Sequence, residues 1–384
     1  MKKKIAILGS TGSIGNSLLS ILRKDKNNKI ILLSANNNYK KLLKQAKEFK
    51  VKNIIIANKK NYQKLINNKK YKDINIFKDF NCFKKVFKNK VDYTMSSIIG
   101  IDGLKPTLDI IKYTKVIAVA NKESIICGWN LLDKELKKYN TKFIPVDSEH
   151  FSIWFSLISK TNLHKIKKIY ITASGGPFRK KKIKSFKNIS IKEAINHPNW
   201  KMGKKISIDS ATMVNKIFEL IEAKNIFNVS YNQLSIILHP KSYIHAIIEY
   251  QNGLSKMILH ETDMKIPIFN SLYYPNIKKF DSKKIDFKKL NNLELSDIDI
   301  QKYPSLKLLN YLSKKNSLFE TVLVSANDEL VNLFLNKKIK FTDISKNLLK
   351  IVKHQKYSKY RLIKPKKIGD IIKLNSYVRS EINN

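Results

Sequence analysis

The stretch IAILGSTGSIG, residues 5–15, decides how this chain is read: a short apolar run, a turn of glycines and hydroxyls, then the amphipathic pattern SLLSILRK. A brief apolar run bounded by glycine reads as a buried strand. Glycines between a strand and a helix permit a tight turn and close pyrophosphate approach, while the helix N-terminus favours negative charge. The spacing is GxxGxxG rather than GxGxxG, and a ligand-free strand-to-helix turn is the alternative. The surrounding βαβ rhythm favours a dinucleotide loop, with Thr11, Gly12, Ser13 and Ile14 lining the cofactor.

That rhythm continues outward. IAIL, IILLSA and NIIIA alternate with SLLSILRK and YKKLLKQAKEF, and further strands are expected at 92–95, 116–120 and 143–146, with helices at 106–112 and 131–139. The fold class predicted is α/β: an N-terminal Rossmann-like parallel sheet over 1–147, a central α+β catalytic domain over 148–274, and a C-terminal helical bundle over 305–384. The central part carries longer strands, KKIYITAS and SIILHPKSYIHAIIEY, and a helix expected over 211–223. Residues 275–304, rich in Lys, Asn, Asp and Pro, read as a linker. At the end of the second strand an NAD enzyme commonly carries an acid for the ribose; here Ala35-Asn36-Asn37-Asn38 precedes Lys40 and Lys41. The missing acid favours NADPH over NADH.

The formal charge of +45 raises the prospect of nucleic acid or an anionic membrane. Lysine nevertheless rises together with Asn and Ile in every region instead of clustering, which reads as a solvated surface. Two cysteines, Cys82 and Cys127, form no disulfide framework or metal motif, and a reducing cytoplasm fits. No apolar run approaches a membrane span, and MKKKIAIL reads as a strand instead of a leader, so a soluble protein is expected.

The chemistry concentrates in HPNWKMGKKISIDSATMVNKIFE, residues 197–219. Ser210, Asn215 and Lys216 offer short donors and one fixed charge, the mixture that holds a phosphate. Glu219 follows Asn215 and Lys216 at helical spacing, which places the three on one face. Asp147-Ser148-Glu149-His150 follows the strand-like FIPV; with Glu219 it offers three carboxylates, a donor set for Mg²⁺ or Mn²⁺ with positions left for substrate oxygens. Taken alone, that tetrapeptide more commonly marks acids capping a helix; combined with the other motifs, the balance reverses toward a metal site. Lys122, in Asn121-Lys122-Glu123 after VIAVA, can polarise a substrate oxygen, Ser174 in the SGGPF turn can donate to substrate, and His197 is the histidine singled out. His239 and His245 read as internal hydrogen-bonding residues, and His164, His260 and His354 have no companion motif.

In this order GSTGSIG, ANKES, VDSEH, SGGPF, HPNWKMGKKISIDSATM, NK and HPKSYIH resemble the 1-deoxy-D-xylulose 5-phosphate reductoisomerase family, over essentially the whole chain. The resemblance implies NADPH contacts from Thr11, Gly12, Ser13, Ile14, Asn38, Asn121, Glu123 and Gly203. It implies divalent-ion binding by Asp147, Glu149 and Glu219, and substrate binding by Lys122, Ser148, Glu149, Ser174, His197, Ser210, Asn215, Lys216 and Glu219. Lys122, Glu149 and His197 become the expected catalytic residues, Trp200 and Met202 part of a flap, and the assembly a homodimer. It further implies a retro-aldol and aldol rearrangement followed by hydride reduction, within non-mevalonate isoprenoid synthesis. Asn36, Asn37, Ile217, Phe151 and Phe155 depart from the residues common in relatives. Two other functions compete: an NADP-dependent semialdehyde dehydrogenase, which needs a nucleophilic cysteine, and a basic nucleic-acid-binding protein.

Overall fold

A computed structural model describes residues 2–68, 71–158, 165–200 and 202–383. The chain forms two compact units, one built from 1–124, 131–147 and 264–280, the other from 125–130, 148–263 and 281–384.

The first unit is a seven-stranded, all-parallel sheet in the order β4-β3-β2-β1-β5-β6-β7. Its strands are β1 (Lys3–Leu8), β2 (Asn28–Ala35), β3 (Asn53–Ile56), β4 (Asn75–Phe77), β5 (Tyr93–Ser96), β6 (Val116–Val119) and β7 (Lys142–Pro145). The near-continuous apolar character of the longer strands follows from helices covering the sheet, since such strands are buried on both faces. Ile5, Ile7, Leu33, Ile54 and Met95 are fully buried. The sheet order reverses between β1 and β5, beside the glycine turn, where doubly wound folds collect ligands.

Lys265–Tyr273 is a helix whose Ile268, Phe269 and Leu272 belong to this same core, and the Tyr93 and Ser271 hydroxyls hydrogen-bond at 2.9 Å. The sequence reading left this segment inside the central domain, because an apolar face does not say which core it completes.

In the second unit a mixed sheet runs β11-β10-β8-β9, with β8 (Ile166–Ala173), β9 (Leu234–Leu238), β10 (Ile244–Tyr250) and β11 (Ser255–Leu259). The run SIILHPKSYIHAIIEY is therefore two strands and not one, turned at His239–Ser242 by a hydrogen bond from the Ser242 amide to the His239 carbonyl. The helix expected over 211–223 is also two elements. Lys204–Ala211 and Val214–Phe227 meet at Met213, whose φ of 64° lies in the left-handed region and ends one helical ladder before the next begins. Helices Phe319–Leu335, Phe341–Lys353 and Ile368–Asn383 follow, in keeping with a helical C-terminal part, and Pro304–Tyr311 forms a 3₁₀ helix. Within 275–304 a short helix, Phe287–Asn291, forms, and Ser296 bridges to Leu238 of β9. Among the described residues no helix is long and apolar enough to cross a membrane.

Candidate active site

The glycine turn of the first unit has the shape its sequence implies. Gly9 has φ +84°, and a Cβ there would come within 2.8 Å of the Ser97 carbonyl oxygen. Gly12 sits at the N-cap of Ser13–Leu22, and no side chain caps that helix. Gln45, which sequence reasoning did not single out, holds the turn from below: its Nε2 donates to the Ser10 carbonyl at 3.0 Å and to Asn16 Oδ1 at 3.1 Å, while Ser10 Oγ donates to its Oε1 at 2.8 Å. The signal was available as a polar residue three positions after Leu42 on a buried helix face.

Two residues assigned to the cofactor by resemblance also carry structural duties. Asn38 caps Tyr39–Glu48 by accepting from the Lys41 amide at 3.2 Å. Asn121 caps Lys122–Lys138 through the Ser124 amide at 2.6 Å and donates to the Gly100 carbonyl at 2.8 Å. Glu123 follows in the first turn of that helix and is buried. Lys122, also buried, pairs with Asp147 at 3.0 Å. Both lie at the carboxyl side of neighbouring strands, β6 and β7.

In the second unit the Ser148–Leu157 and Val214–Phe227 helices bring the predicted acids together. Lys216 Nζ lies 2.5 Å from Glu149 Oε1 and 2.6 Å from Glu219 Oε2. Ser148 Oγ donates to Glu149 Oε2 at 2.5 Å, and the Asn215 amide donates to Glu219 Oε1. All five side chains are buried. Burial opposes the ammonium charge, but Glu149 and Glu219 outweigh it and raise the Lys216 pKa above its ordinary value. Two acids sharing one lysine retain an excess negative charge, a reason for a further cation to bind.

His197 lies in the same unit. Its Nδ1 accepts from the backbone amides of Asn199 and Trp200 at 3.2 and 3.1 Å. That fixes the proton on Nε2, which donates to Ser174 Oγ at 3.0 Å. Burial, reinforced by the charge of Lys216, pushes the ring down to about 4, so it is neutral at ordinary pH. Ser174 is held in turn by the Gly176 amide at 3.1 Å. Gly176 has φ +63°, and a Cβ there would come within 3.0 Å of the Ser210 carbonyl. Glycine at this position lets the SGG turn lie against Ser210 at the end of the Lys204–Ala211 helix. Gly203 caps the start of the same helix, with partly buried Met202 just before it.

His239 bonds internally, its Nδ1 donating to the Leu293 carbonyl at 2.6 Å and its Nε2 accepting from the Tyr243 amide at 3.0 Å. His245 donates to the His260 carbonyl at 3.3 Å, as its strand position implies, and His354 caps a short helix. His164 lies outside the described residues. Of the departures, Ile217 is fully buried and Phe151 packs on Trp154 and Phe155, so the changes are absorbed as apolar packing.

Three profiles of one family match the chain: 1-deoxy-D-xylulose 5-phosphate reductoisomerase over residues 5–128, its C-terminal domain over 143–227, and the DXP reductoisomerase C-terminal domain over 259–381. A curated 1-deoxy-D-xylulose 5-phosphate reductoisomerase of Pelagibacter ubique (strain HTCC1062) is 58% identical over 387 residues, covering 99% of each chain. The chain belongs to the 1-deoxy-D-xylulose 5-phosphate reductoisomerase family. This makes it an oxidoreductase. Among solved members, a DOX-P reductoisomerase in complex with NADPH, fosmidomycin and magnesium superposes with TM-score 0.90 at 34% identity, over 98% of this chain and 97% of that one. The Zymomonas mobilis enzyme in complex with NADPH gives 0.86 at 32%, over 99% and 97%. The reductoisomerase family thus accounts for the parallel sheet, the mixed sheet and the C-terminal helices together.

Proposed function

We propose that this chain converts 1-deoxy-D-xylulose 5-phosphate to 2-C-methyl-D-erythritol 4-phosphate by a retro-aldol and aldol rearrangement followed by hydride reduction, using NADPH and Mg²⁺ or Mn²⁺. The observation that carries the reading is the buried Glu149–Lys216–Glu219 group beside the neutral His197–Ser174 pair. Hard carboxylate oxygens suit a divalent ion, and Asp147, one residue from Ser148 in the chain, is the third ligand of the proposal. When bound, the ion supplies Lewis-acid stabilisation of developing oxyanion charge. The uncapped Ser13–Leu22 helix and the glycine turn before it suit a pyrophosphate, with Thr11, Gly12, Ser13 and Ile14 as its cradle and Asn38, Asn121, Glu123 and Gly203 as further contacts. When bound, NADPH supplies the hydride.

The chain's own residues do the rest. Ser174, Ser210, Asn215 and Lys216 anchor the phosphate, which keeps both halves of a cleaved sugar aligned for rejoining. His197 donates through Nε2 and stays uncharged, so it orients an oxygen without adding a second fixed charge next to Lys216. Lys122 assists the carbonyl, Ser148 and Glu149 touch the substrate hydroxyls, and Trp200 and Met202 exclude water. In this assignment residues 1–147 serve NADPH, with 264–280 completing their core, 148–263 serve the metal and substrate, 281–304 connect, and 305–384 support. The enzyme works in the cytoplasm as a homodimer. The outer edge strand β11, with Met257 45% exposed and Leu254 just before it 65% exposed, is the kind of apolar edge a second copy covers.

A semialdehyde dehydrogenase mechanism lacks its nucleophile: both cysteines are buried, and burial, aided by Asp79, pushes the Cys82 thiol up to about 12. The test is NADPH oxidation driven by 1-deoxy-D-xylulose 5-phosphate, with and without a chelator. Turnover lost on chelation and regained with Mg²⁺ or Mn²⁺ supports the reading. Chelator-insensitive turnover, or none, overturns it.

A further inference from the structure

His260 stands directly after β11 in sequence without a companion motif, yet its ring is placed with more constraint than any motif would suggest. It stacks on His245 with centroids 3.9 Å apart and planes at 23°. Both rings are tied to backbone: His245 Nε2 donates to the His260 carbonyl at 3.3 Å, and His260 Nδ1 donates to the Glu261 carbonyl at 2.7 Å. The second bond leaves His260 Nε2 as an acceptor, and among the described residues that buried atom has no hydrogen-bond partner. The contact this imidazole makes with its neighbour is through its flat face.

What the stack supports is Trp200. The indole meets the His245 ring edge-on at 6.0 Å and 63°, a favourable geometry for aromatic pairs. The Trp200 backbone amide bonds to His197 Nδ1 at 3.1 Å, so the same residue is fixed at its main chain by the substrate histidine and at its side chain by the stack. His260 also lies close enough to Glu149 for that carboxylate to act on its ring. The residues run in a continuous series from His260 through His245 and Trp200 to His197 and Ser174.

We propose that His260 is a positioning residue for the phosphosugar: by stacking on His245 it holds the surface on which Trp200 seats, and so sets substrate affinity and not the rate of the chemical steps. The proposal rests on the substrate reading given above. Its test compares His260→Asn, which keeps a polar group of similar reach but no ring, with His260→Phe, which keeps the ring and loses both nitrogens. Steady-state kinetics with 1-deoxy-D-xylulose 5-phosphate are read alongside calorimetric binding of fosmidomycin, the ligand named with a solved relative. The asparagine variant is expected to raise KM for the phosphosugar about tenfold and to weaken fosmidomycin similarly. Its kcat and its KM for NADPH stay close to wild type, and the phenylalanine variant restores all values. An unchanged KM in His260→Asn, a loss in His260→Phe as large as in His260→Asn, or a fall confined to kcat overturns the proposal. If His260→Asn does not fold, His260→Phe decides alone, a tenfold loss of affinity in it being contrary. Absence of turnover in the unsubstituted enzyme overturns the functional reading instead, and the fosmidomycin arm still reports on the stack.

Discussion

Lys216 is the residue on which the candidate site balances. Its ammonium holds two buried carboxylates that would otherwise repel each other, and removing one partner of a buried pair commonly costs about 3–5 kcal/mol. Lys216→Met should therefore lower the melting temperature of the metal-free protein markedly, and added Mg²⁺ should raise it more than in the wild type. An equal Mg²⁺ response in both proteins would show that the ammonium and the ion do not serve the same acids. Glu219→Gln is expected to abolish metal-dependent turnover while leaving NADPH binding, measured by fluorescence, nearly intact. Wild-type turnover in that variant removes Glu219 from the ligand set.

Glu320 makes a second residue-level case, away from the site. Burial pushes its carboxyl up to about 7, although the hydrogen bond from Ser317 Oγ at 2.6 Å opposes the rise. The folded pKa exceeds the unfolded one, so its contribution is favourable below about 4.5 and is lost as pH climbs through about 7. Glu320→Gln should flatten the fall in stability across that window and gain on the order of 2 kcal/mol at pH 8, measured by urea unfolding. An identical pH profile in the variant would contradict the placement of a buried ionising carboxylate. The acids of the candidate site were readable in the sequence because their spacing is chemical. Glu320 was not, because nothing in FETVL distinguishes a buried glutamate from a wet one.

At the scale of single elements, turns decide more than helices do. The SGG turn places Ser174 and His197 against the end of the Lys204–Ala211 helix only because Gly176 tolerates φ +63° and carries no Cβ. Gly176→Ala is expected to cost about 1–2 kcal/mol in stability and to raise KM for the phosphosugar more than it lowers kcat. A variant with wild-type KM would mean that the turn has room to move. Sequence periodicity located β1 to β3 and the helices Phe319–Leu335 and Phe341–Lys353 well, since their apolar faces repeat with a clear period. It ran the helix expected over 211–223 through the break at Met213, because a methionine in the left-handed region carries no local signal: turn chemistry is normally announced by Gly or Asn. Asn215, Lys216 and Glu219 still share one face, since the break precedes all three.

Across the whole molecule, charge is the dominant feature. A formal +45 on 384 residues means that lysines repel one another over most of the surface. Salt screens such repulsion, so raising NaCl from about 0.01 to 0.5 M should add roughly 1 kcal/mol to stability, or about 2–4 °C in melting temperature. Scanning calorimetry across that series checks this, and a melting point that falls with salt would mean that attractive pairs such as Lys356–Glu381 outweigh the repulsion. Composition exposed this property immediately but identifies no partner, since evenly spread lysine marks no binding stripe.

The parallel sheet is finished by a segment translated more than a hundred residues after its last strand. Ile268, Phe269 and Leu272 fill the same core as Ile5 and Leu18, and Ser271 bonds to Tyr93. A ribosome that has released residue 147 has produced every strand of the parallel sheet but not the plug that seals it. Until residue 280 emerges, that half waits with an oily flank uncovered, so an excised fragment ending at 147 should precipitate, and nascent chains of that length are natural clients for a chaperone.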